Sequence, residues 1–389
     1  MIPLDRALKT VLDSARELDT ETVSLHDAAE RVLAQDIISD MDMPPFCKSA
    51  MDGYAYSSKD RSEEFAVIET VQAGSLPEHS IKAGECAKIM TGAPVPAGAD
   101  RVVRVEYTEE TNGIMKITAP ETGSNICVKG EDFTKGDILL SRAARITPAI
   151  IGVCASAGYA ELSVYRKPRV AIIATGSEIV EPSEKPGQGQ IRNSNSYQLY
   201  AQVLQCGGHP SYLGIAGDTR EEIDSLFTQA LGSSDIVLLS GGVSMGDYDF
   251  VPDILEAHGV DVLFSKIAVK PGKPTVFGIQ NSVYIFGLPG NPVSTLVIFE
   301  LLVKPLIACL SGFRYTPSYI KGELTQDIRT KKSKRQKCIP VRMENGLVTP
   351  AAYHGSAHIL AYTEASGIIC LAGTGERYSR GDTVDVRQI

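Results

Sequence analysis

The sequence predicts an α/β multidomain protein whose largest part is a doubly wound α/β domain. Between residues 169 and 257 a strand, a loop bearing glycine or acid, and a helix follow one another three times, as in a parallel sheet with helices on both faces. The run Asp235-Ile236-Val237-Leu238-Leu239-Ser240 is apolar and β-branched, as a strand buried on both faces must be. At 389 residues the chain is also too long for one ordinary core, so two to four domains are expected.

The elements follow in order. Leu4, Leu8, Val11, Ala15 and Leu18 share one face of an amphipathic helix over residues 3 to about 18. Ser24-Leu25-His26-Asp27 is a capping-box pattern and predicts a short helix to about residue 34. The prolines of Asp40-Met41-Asp42-Met43-Pro44-Pro45-Phe46 force extended chain. From 65 to about 119, short β-branched runs alternate with Gly/Pro turns, the texture of a small β domain. Residues 133–165 return to mixed strand and helix. Val170-Ala171-Ile172-Ile173-Ala174 then opens the α/β part as a buried strand. Asn193-Ser194-Asn195 caps a helix to about 205, a strand covers 211–215, and helices cover 220 to about 231 and 250–257. The nearly all-apolar helix 293–310 is expected in the interior, and about 77 residues after Gly312 form a C-terminal β domain.

Composition narrows the function. A net charge of −9, from 38 basic and 47 acidic residues, argues against nonspecific nucleic-acid binding. No run reaches the ~18 uninterrupted apolar residues of a membrane span. Met1-Ile2-Pro3-Leu4-Asp5-Arg6 lacks the basic start and apolar core of a signal peptide. Eight cysteines, none in a C-x-x-C pair, read as reduced thiols of a cytoplasmic protein.

Chemistry concentrates between 235 and 292. After the central strand comes Gly241-Gly242-Val243-Ser244-Met245-Gly246-Asp247-Tyr248-Asp249. A glycine turn that opens a helix offers backbone N–H groups to phosphate, and carboxylates suit a hard divalent cation. The serine and glycine cluster alone is equally well a tight connection, and Asp249 alone a helix-start acid. Glu178 and Asp218, however, fall at equivalent strand ends, where ligands bind in such sheets. Lys266, Lys270 and Lys273 follow, the last two held between prolines in Lys270-Pro271-Gly272-Lys273-Pro274. They read as anion contacts rather than solvated turn lysines. The basic run 329–337 reads as a solvated strand or loop with one arginine in reach of an anion. His354 and His358 stand four apart, but Gly355-Ser356 between them weakens a zinc reading.

Six motifs occur in order: Pro45-Phe46 with Ser49 and Met51-Asp52-Gly53-Tyr54-Ala55; Thr91-Gly92-Ala93-Pro94-Val95-Pro96; Gly130-Glu131-Asp132; Ser240-Gly241-Gly242-Val243-Ser244; Lys270-Pro271-Gly272-Lys273-Pro274; and Gly287-Leu288-Pro289-Gly290-Asn291-Pro292-Val293-Ser294. Together they resemble the molybdopterin molybdenumtransferases, bacterial relatives of the gephyrin E domain, over essentially the whole chain. The resemblance implies an elongated dimer of four-domain subunits: a mixed linker domain (19–37 and 133–165), an inserted β domain (38–132), an α/β domain of the molybdopterin-binding type (1–18 and 166–316) and a C-terminal β domain (317–389). It implies Mg²⁺-dependent release of AMP from adenylylated molybdopterin as molybdate enters the dithiolene, in a site shared between the α/β domain of one subunit and the β domain of the other. A molybdopterin adenylyltransferase and recipient molybdoenzymes are the implied partners.

By motif position, Glu178, Asp218 and Asp249 would hold metal and pyrophosphate beside Ser240, Gly241, Gly242 and Ser244. Asp52, Thr91 and Asp132 would come from the β-domain side. Lys273, Pro274 and Ser294, with Ser356 from the tail, would form the oxyanion pocket, and Lys266 and Lys270 would meet pterin or phosphate. The chain departs from the family at Ser177 (usually Asp), at Cys127 and Val128 (usually basic), and in the tail, where Arg335 is followed by Cys338 and Pro340. Three alternatives stay open: an adenylyltransferase-like enzyme, a non-catalytic scaffold of the gephyrin type, and a tungstate-inserting variant.

Overall fold

The computed structural model describes residues 1–242 and 250–389. Its central element is a six-stranded sheet. We label α1 (Leu4–Ser14), β1 (Arg169–Thr175), α2 (Asn195–Gln205), β2 (His209–Ala216), α3 (Arg220–Ser233), β3 (Ile236–Ser240), α4 (Val251–Ala257), β4 (Asp261–Phe264), β5 (Val276–Gln280), β6 (Val283–Leu288) and α5 (Pro292–Leu310). The strand order is β2-β1-β3-β6-β5-β4. The first four strands are parallel, and β5 and β4 add on antiparallel.

Alternation along the buried strands builds two cores. Val170, Ile172, Ile236 and Leu238 face a core completed by α1, α2 and α5. Ala171, Ile173, Val237 and Leu239 face the opposite core, closed by α3 and α4. Each side chain of the period-2 pattern thus finds an apolar layer, which explains why no charge follows Arg169 on β1 and none stands on β3. The chain passes from β1 outward to β2, then crosses back to β3 on the other side of β1. This reversal opens a crevice at the carboxyl ends of β1 and β3.

Three smaller units surround this sheet. Strands Thr20–Ser24 and Glu161–Tyr165 pair antiparallel, and Ala28, Leu33, Ile37, Ile146, Cys154 and Leu162 share one core, so residues on both sides of the insertion pack together. Within the insertion, Arg101–Arg104, Gly53–Tyr56, Glu85–Ile89, Glu64–Val71, Ile114–Ile117 and Thr108–Thr111 form a mixed six-stranded sheet in that order. At the C-terminus, strand Gln336–Glu344 pairs with both Leu347–Pro350 and Gly367–Leu371, closing a small barrel over its own core. Val269–Lys270 adds to this barrel beside Gln336 and Lys337, stitching it to the α/β unit.

Two expectations are corrected. Ser24 does cap, accepting the Asp27 N–H at 3.3 Å, but the helix is a single turn, Leu25–Asp27. Glu30 then takes a positive φ of 64°, and the Leu33 N–H bonds the Ala144 carbonyl at 3.0 Å, so bridging to the second linker segment replaces the predicted helix. Second, not all cysteines are free: register sets Cys338 directly opposite Cys370, and the structure joins them as a disulfide. The apolar helix α5 lies in the interior as expected: it is by length and composition able to cross a membrane, yet 78% of its 18-residue apolar window is buried inside this fold.

Candidate functional site

The crevice at the ends of β1 and β3 is a cavity of about 840 Å³. Glu178, Asp218, Ser240, Gly241 and Gly242 line it. Gly241 is required by space as well as angle. Its φ is 105°, and a Cβ there would lie 2.3 Å from the Thr175 carbonyl oxygen. Only a bare backbone lets the loop after β3 lie against the end of β1.

Asp218 is fixed by Ser177, where the family that the sequence resembles usually has Asp. The Ser177 N–H donates to Asp218 Oδ2 at 2.9 Å, and the Asp218 N–H donates to Ser177 Oγ at 2.9 Å. This reciprocal pair ties the loop after β1 to the loop after β2. Serine therefore positions the acid without adding a charge.

Asn195, which sequence reasoning treated only as a cap, is a keystone of this cavity. The capping acceptor is instead Asn193, whose Oδ1 takes the Ser196 N–H at 3.1 Å. Asn195 Nδ2 donates to Ser240 Oγ (2.9 Å) and to the Gly290 carbonyl (2.7 Å), joining α2, β3 and the loop after β6. Its Oδ1, and the hydroxyl of Thr175, are buried without a partner among the described residues. Both residues line the cavity. A buried oxygen without a donor is costly unless something fills the role. With Glu178 and Asp218 these atoms make a set of hard oxygen donors, which fits Mg²⁺. Among the described residues no three His, Cys, Asp or Glu side chains form a metal cluster. Ser244, Asp247 and Asp249, named from the sequence, lie outside the described residues.

A second cavity, of about 710 Å³, adjoins the first and is lined in part by Lys270, Lys273, Pro274, Ser294 and Ser356. Three further cations that sequence reasoning did not separate line it as well, Arg329, Arg335 and Lys337. Its acid, Asp327, is engaged by the Arg377 guanidinium and accepts the Arg380 N–H at 2.9 Å. Ser294 is buried in the first turn of α5, where backbone N–H groups lack helical partners. The tail supports that turn, since the Val293 N–H donates to the Ser356 carbonyl at 3.1 Å. Lysines, arginines, hydroxyls and a helix N-terminus give this cavity the chemistry that suits an anion. Pro274, Pro289 and Asn291 belong to both cavities and form the wall between them.

Lys266 lines neither cavity; its carbonyl accepts the Ile2 N–H at 3.0 Å. Asp52, Thr91 and Asp132 line neither cavity either. The structure does bring Asp52 and Thr91 together: Asp52 Oδ1 accepts both the N–H (2.7 Å) and the hydroxyl (2.8 Å) of Thr91. These bonds, the backbone N–H first, hold the Asp52 carboxyl below its ordinary range. Asp132 sits in the Gly130-Glu131-Asp132 turn, packed on the extended proline segment through Gly130 N–H to the Pro44 carbonyl and Asp132 N–H to the Met43 carbonyl, each 3.0 Å.

Three family models match the chain. They are the MoeA N-terminal region (domain I and II) over residues 2–158, a probable molybdopterin binding domain over 171–308, and the MoeA C-terminal region (domain IV) over 321–389. The molybdopterin molybdenumtransferase of Bacillus subtilis (strain 168) is 38% identical, the match covering 99% of this chain and 93% of that one. That of Staphylococcus aureus (strain MSSA476) is 35% identical over 99% and 95%. The crystal structure of the molybdopterin biosynthesis moeA protein from Pyrococcus horikoshii OT3 superposes with a TM-score of 0.87 at 31% identity, covering 100% of both chains.

Proposed function

This chain belongs to the molybdopterin molybdenumtransferase family, a transferase of molybdenum cofactor biosynthesis that inserts molybdate, and we propose how its two cavities divide that work. The carboxylate-lined cavity takes the adenylyl–pyrophosphate end of adenylylated molybdopterin. The cationic cavity takes molybdate and the pterin end. The observation that carries this reading is their adjacency: an oxygen-donor pocket and an anion receptor share the wall Pro274, Pro289 and Asn291.

Glu178 and Asp218, with Asn195 Oδ1 and Thr175 Oγ, would hold Mg²⁺, and Asp249 is assigned to the same set by motif. Such a cation would supply charge neutralisation at the phosphoanhydride oxygens. The residues do the rest. Gly241 and Gly242 let backbone approach the phosphates, while Ser240, fixed by Asn195, orients that loop. Lys270 and Lys273 compensate the charge of oxyanion and phosphate, and Ser294 and Ser356 supply hydroxyl and backbone contacts to a tetrahedral dianion.

Asp52, Thr91 and Asp132 are assigned to the same reaction from a second copy of the chain. What supports this is that they sit on the inserted β unit, away from both cavities of their own chain. The working unit is then a homodimer with a shared site, its subunits divided as 19–37 with 133–165, 38–132, 1–18 with 166–316, and 317–389. We place the reaction in the cytoplasm, between an adenylyltransferase that supplies the substrate and the molybdoenzymes that receive the product.

The test is AMP release from adenylylated molybdopterin by the purified chain, with and without Mg²⁺ and molybdate. Stoichiometric AMP and transferable cofactor that need both additions are expected. A folded protein that releases no AMP under any of these conditions would defeat the reading and favour a binding scaffold.

A further inference from the structure

We propose that the loop 329–337 is an electrostatic capture surface that draws the anionic substrate into the cationic cavity, with Lys331, Lys332 and Lys334 acting from outside it. The inference rests on the function proposed above. In a chain of 38 basic and 47 acidic residues, Arg329, Lys331, Lys332, Lys334, Arg335 and Lys337 fall within nine positions that hold no acid. Among the described residues none of the six is in an ion pair. A charge run on an ordinary solvated face usually interleaves both signs, and this one does not.

The loop is built rather than loose. Thr330 is buried and gives both its N–H (3.2 Å) and its hydroxyl (3.1 Å) to the Glu376 carbonyl. The Ser333 N–H donates to the Gly373 carbonyl at 2.7 Å, and the Arg335 N–H to Ser333 Oγ at 3.1 Å. A Cβ on Gly373 would lie 2.4 Å from the carbonyl oxygens of both Ser333 and Arg335. The backbone is therefore held against residue 373, and the lysines project from a fixed base.

Position decides the function of these charges. Arg329, Arg335 and Lys337 line the cavity, while Lys331, Lys332 and Lys334 are exposed beside them. Positive potential thus runs from the solvent to the cavity wall. The chain as a whole, at −9, repels anions. The loop overcomes this locally, within a Debye length of about 8 Å at physiological salt. Residues 331–334 carry no apolar or aromatic side chain, which a protein-docking hot spot would need.

The experiment compares the wild-type chain with the triple variants K331Q/K332Q/K334Q and K331E/K332E/K334E, matched by melting temperature. Steady-state AMP release from adenylylated molybdopterin is measured with Mg²⁺ and molybdate from low to high salt. Binding of inorganic pyrophosphate is measured in parallel and needs no turnover. The expected result is unchanged kcat, with kcat/KM and pyrophosphate affinity reduced about 5- to 20-fold in the Gln variant at low salt and further in the Glu variant. The gap should close near ~1 M salt, where screening falls to ~3 Å. Unchanged kcat/KM and pyrophosphate affinity at low salt would overturn the proposal. So would a defect seen only when an adenylyltransferase supplies the substrate, which would mark a protein-docking loop. A wild-type chain that binds pyrophosphate in the expected salt-dependent way but releases no AMP would defeat the function and leave the capture surface standing.

Discussion

Asp52 spends one carboxylate oxygen, Oδ1, on both the backbone N–H and the hydroxyl of Thr91. A lone exposed aspartate on a turn would not be oriented in this way. Replacing Thr91 with Val removes one of the two bonds and should raise the Asp52 pKa toward the ordinary carboxylate value, because bonds to the ionised form are what lower it. An NMR titration of the Asp52 carboxyl reads this directly. AMP release by T91V should fall about tenfold or more, while D52N should fall further. A T91V chain with an unshifted Asp52 and full activity would remove the pair from the mechanism.

Asn195 joins three segments that are distant in sequence. Asn195→Ala leaves the Ser240 hydroxyl and the Gly290 carbonyl without this donor inside the fold. A loss of about 1–3 kcal/mol in urea unfolding is expected. Activity should fall by more than that loss explains, because the loops after β3 and β6 border both the cavity and its wall. Asn195→Asp, which keeps the shape but loses the donor, should behave like Ala.

Asp235 is gripped by the fork of Arg166 (2.6 and 2.7 Å) and by the Arg169 N–H at 2.8 Å. Burial pushes its carboxyl up, but the Arg166 and Arg169 contacts outweigh this and hold it below the ordinary value. A carboxyl depressed in the folded state adds stability above its unfolded pKa, and the contribution is lost as pH falls through the folded value. Acid unfolding should therefore include an Asp235-dependent component below about pH 4. Asp235→Ala should cost about 3–5 kcal/mol at neutral pH, since it strands the half-buried Arg166 charge, and calorimetry of variant and wild type at pH 7 and at about pH 2.5, where the difference should shrink, checks both claims.

Gly241→Ala tests the closeness of β1 and β3 at the crevice. The added Cβ meets the Thr175 carbonyl oxygen at 2.3 Å and sits on a positive φ. Loss of AMP release by at least about 100-fold is expected with the sheet still folded, because the loop must move by an ångström or more and misplacement on that scale costs this much. Circular dichroism confirms folding, and a fully active G241A would show that backbone approach is not needed there.

Thiol counting checks the C-terminal barrel. Denatured, unreduced protein should titrate six cysteines, and reduced protein all eight. The bridge spans 32 positions of sequence, and its reduction should lower stability by about 2–4 kcal/mol in the same urea assay.

The doubly wound sheet was legible because β1 and β3 are apolar on both faces, a pattern few other elements share. Glu178 and Asp218 share one cavity because loops after parallel strands converge on one rim, whereas Lys266, read together with Lys270 and Lys273, lines neither cavity. The role of Asn195 was not, since its partner Gly290 lies 95 residues away and a side chain at a helix start looks like a cap. The linker misled for a similar reason. Ser24 does cap a turn, but the Ala144 and Ser163 carbonyls compete successfully for the next N–H groups, Leu33 and Ala34. Cys338 and Cys370 pair only because strand register opposes them, and spacing alone carries no register.

The wall of Pro274, Pro289 and Asn291 has its own consequence. Two of its three members are prolines, with backbone angles fixed by their rings. A partition of this kind works as a gauge. A molecule that fills both chambers must be long enough to straddle it, with its charges at the right separation. On the proposed division of the two cavities, a lone nucleotide or a lone oxyanion would fill one chamber and leave the other empty. Length, measured against a stiff divider, thereby becomes a criterion of selection alongside charge.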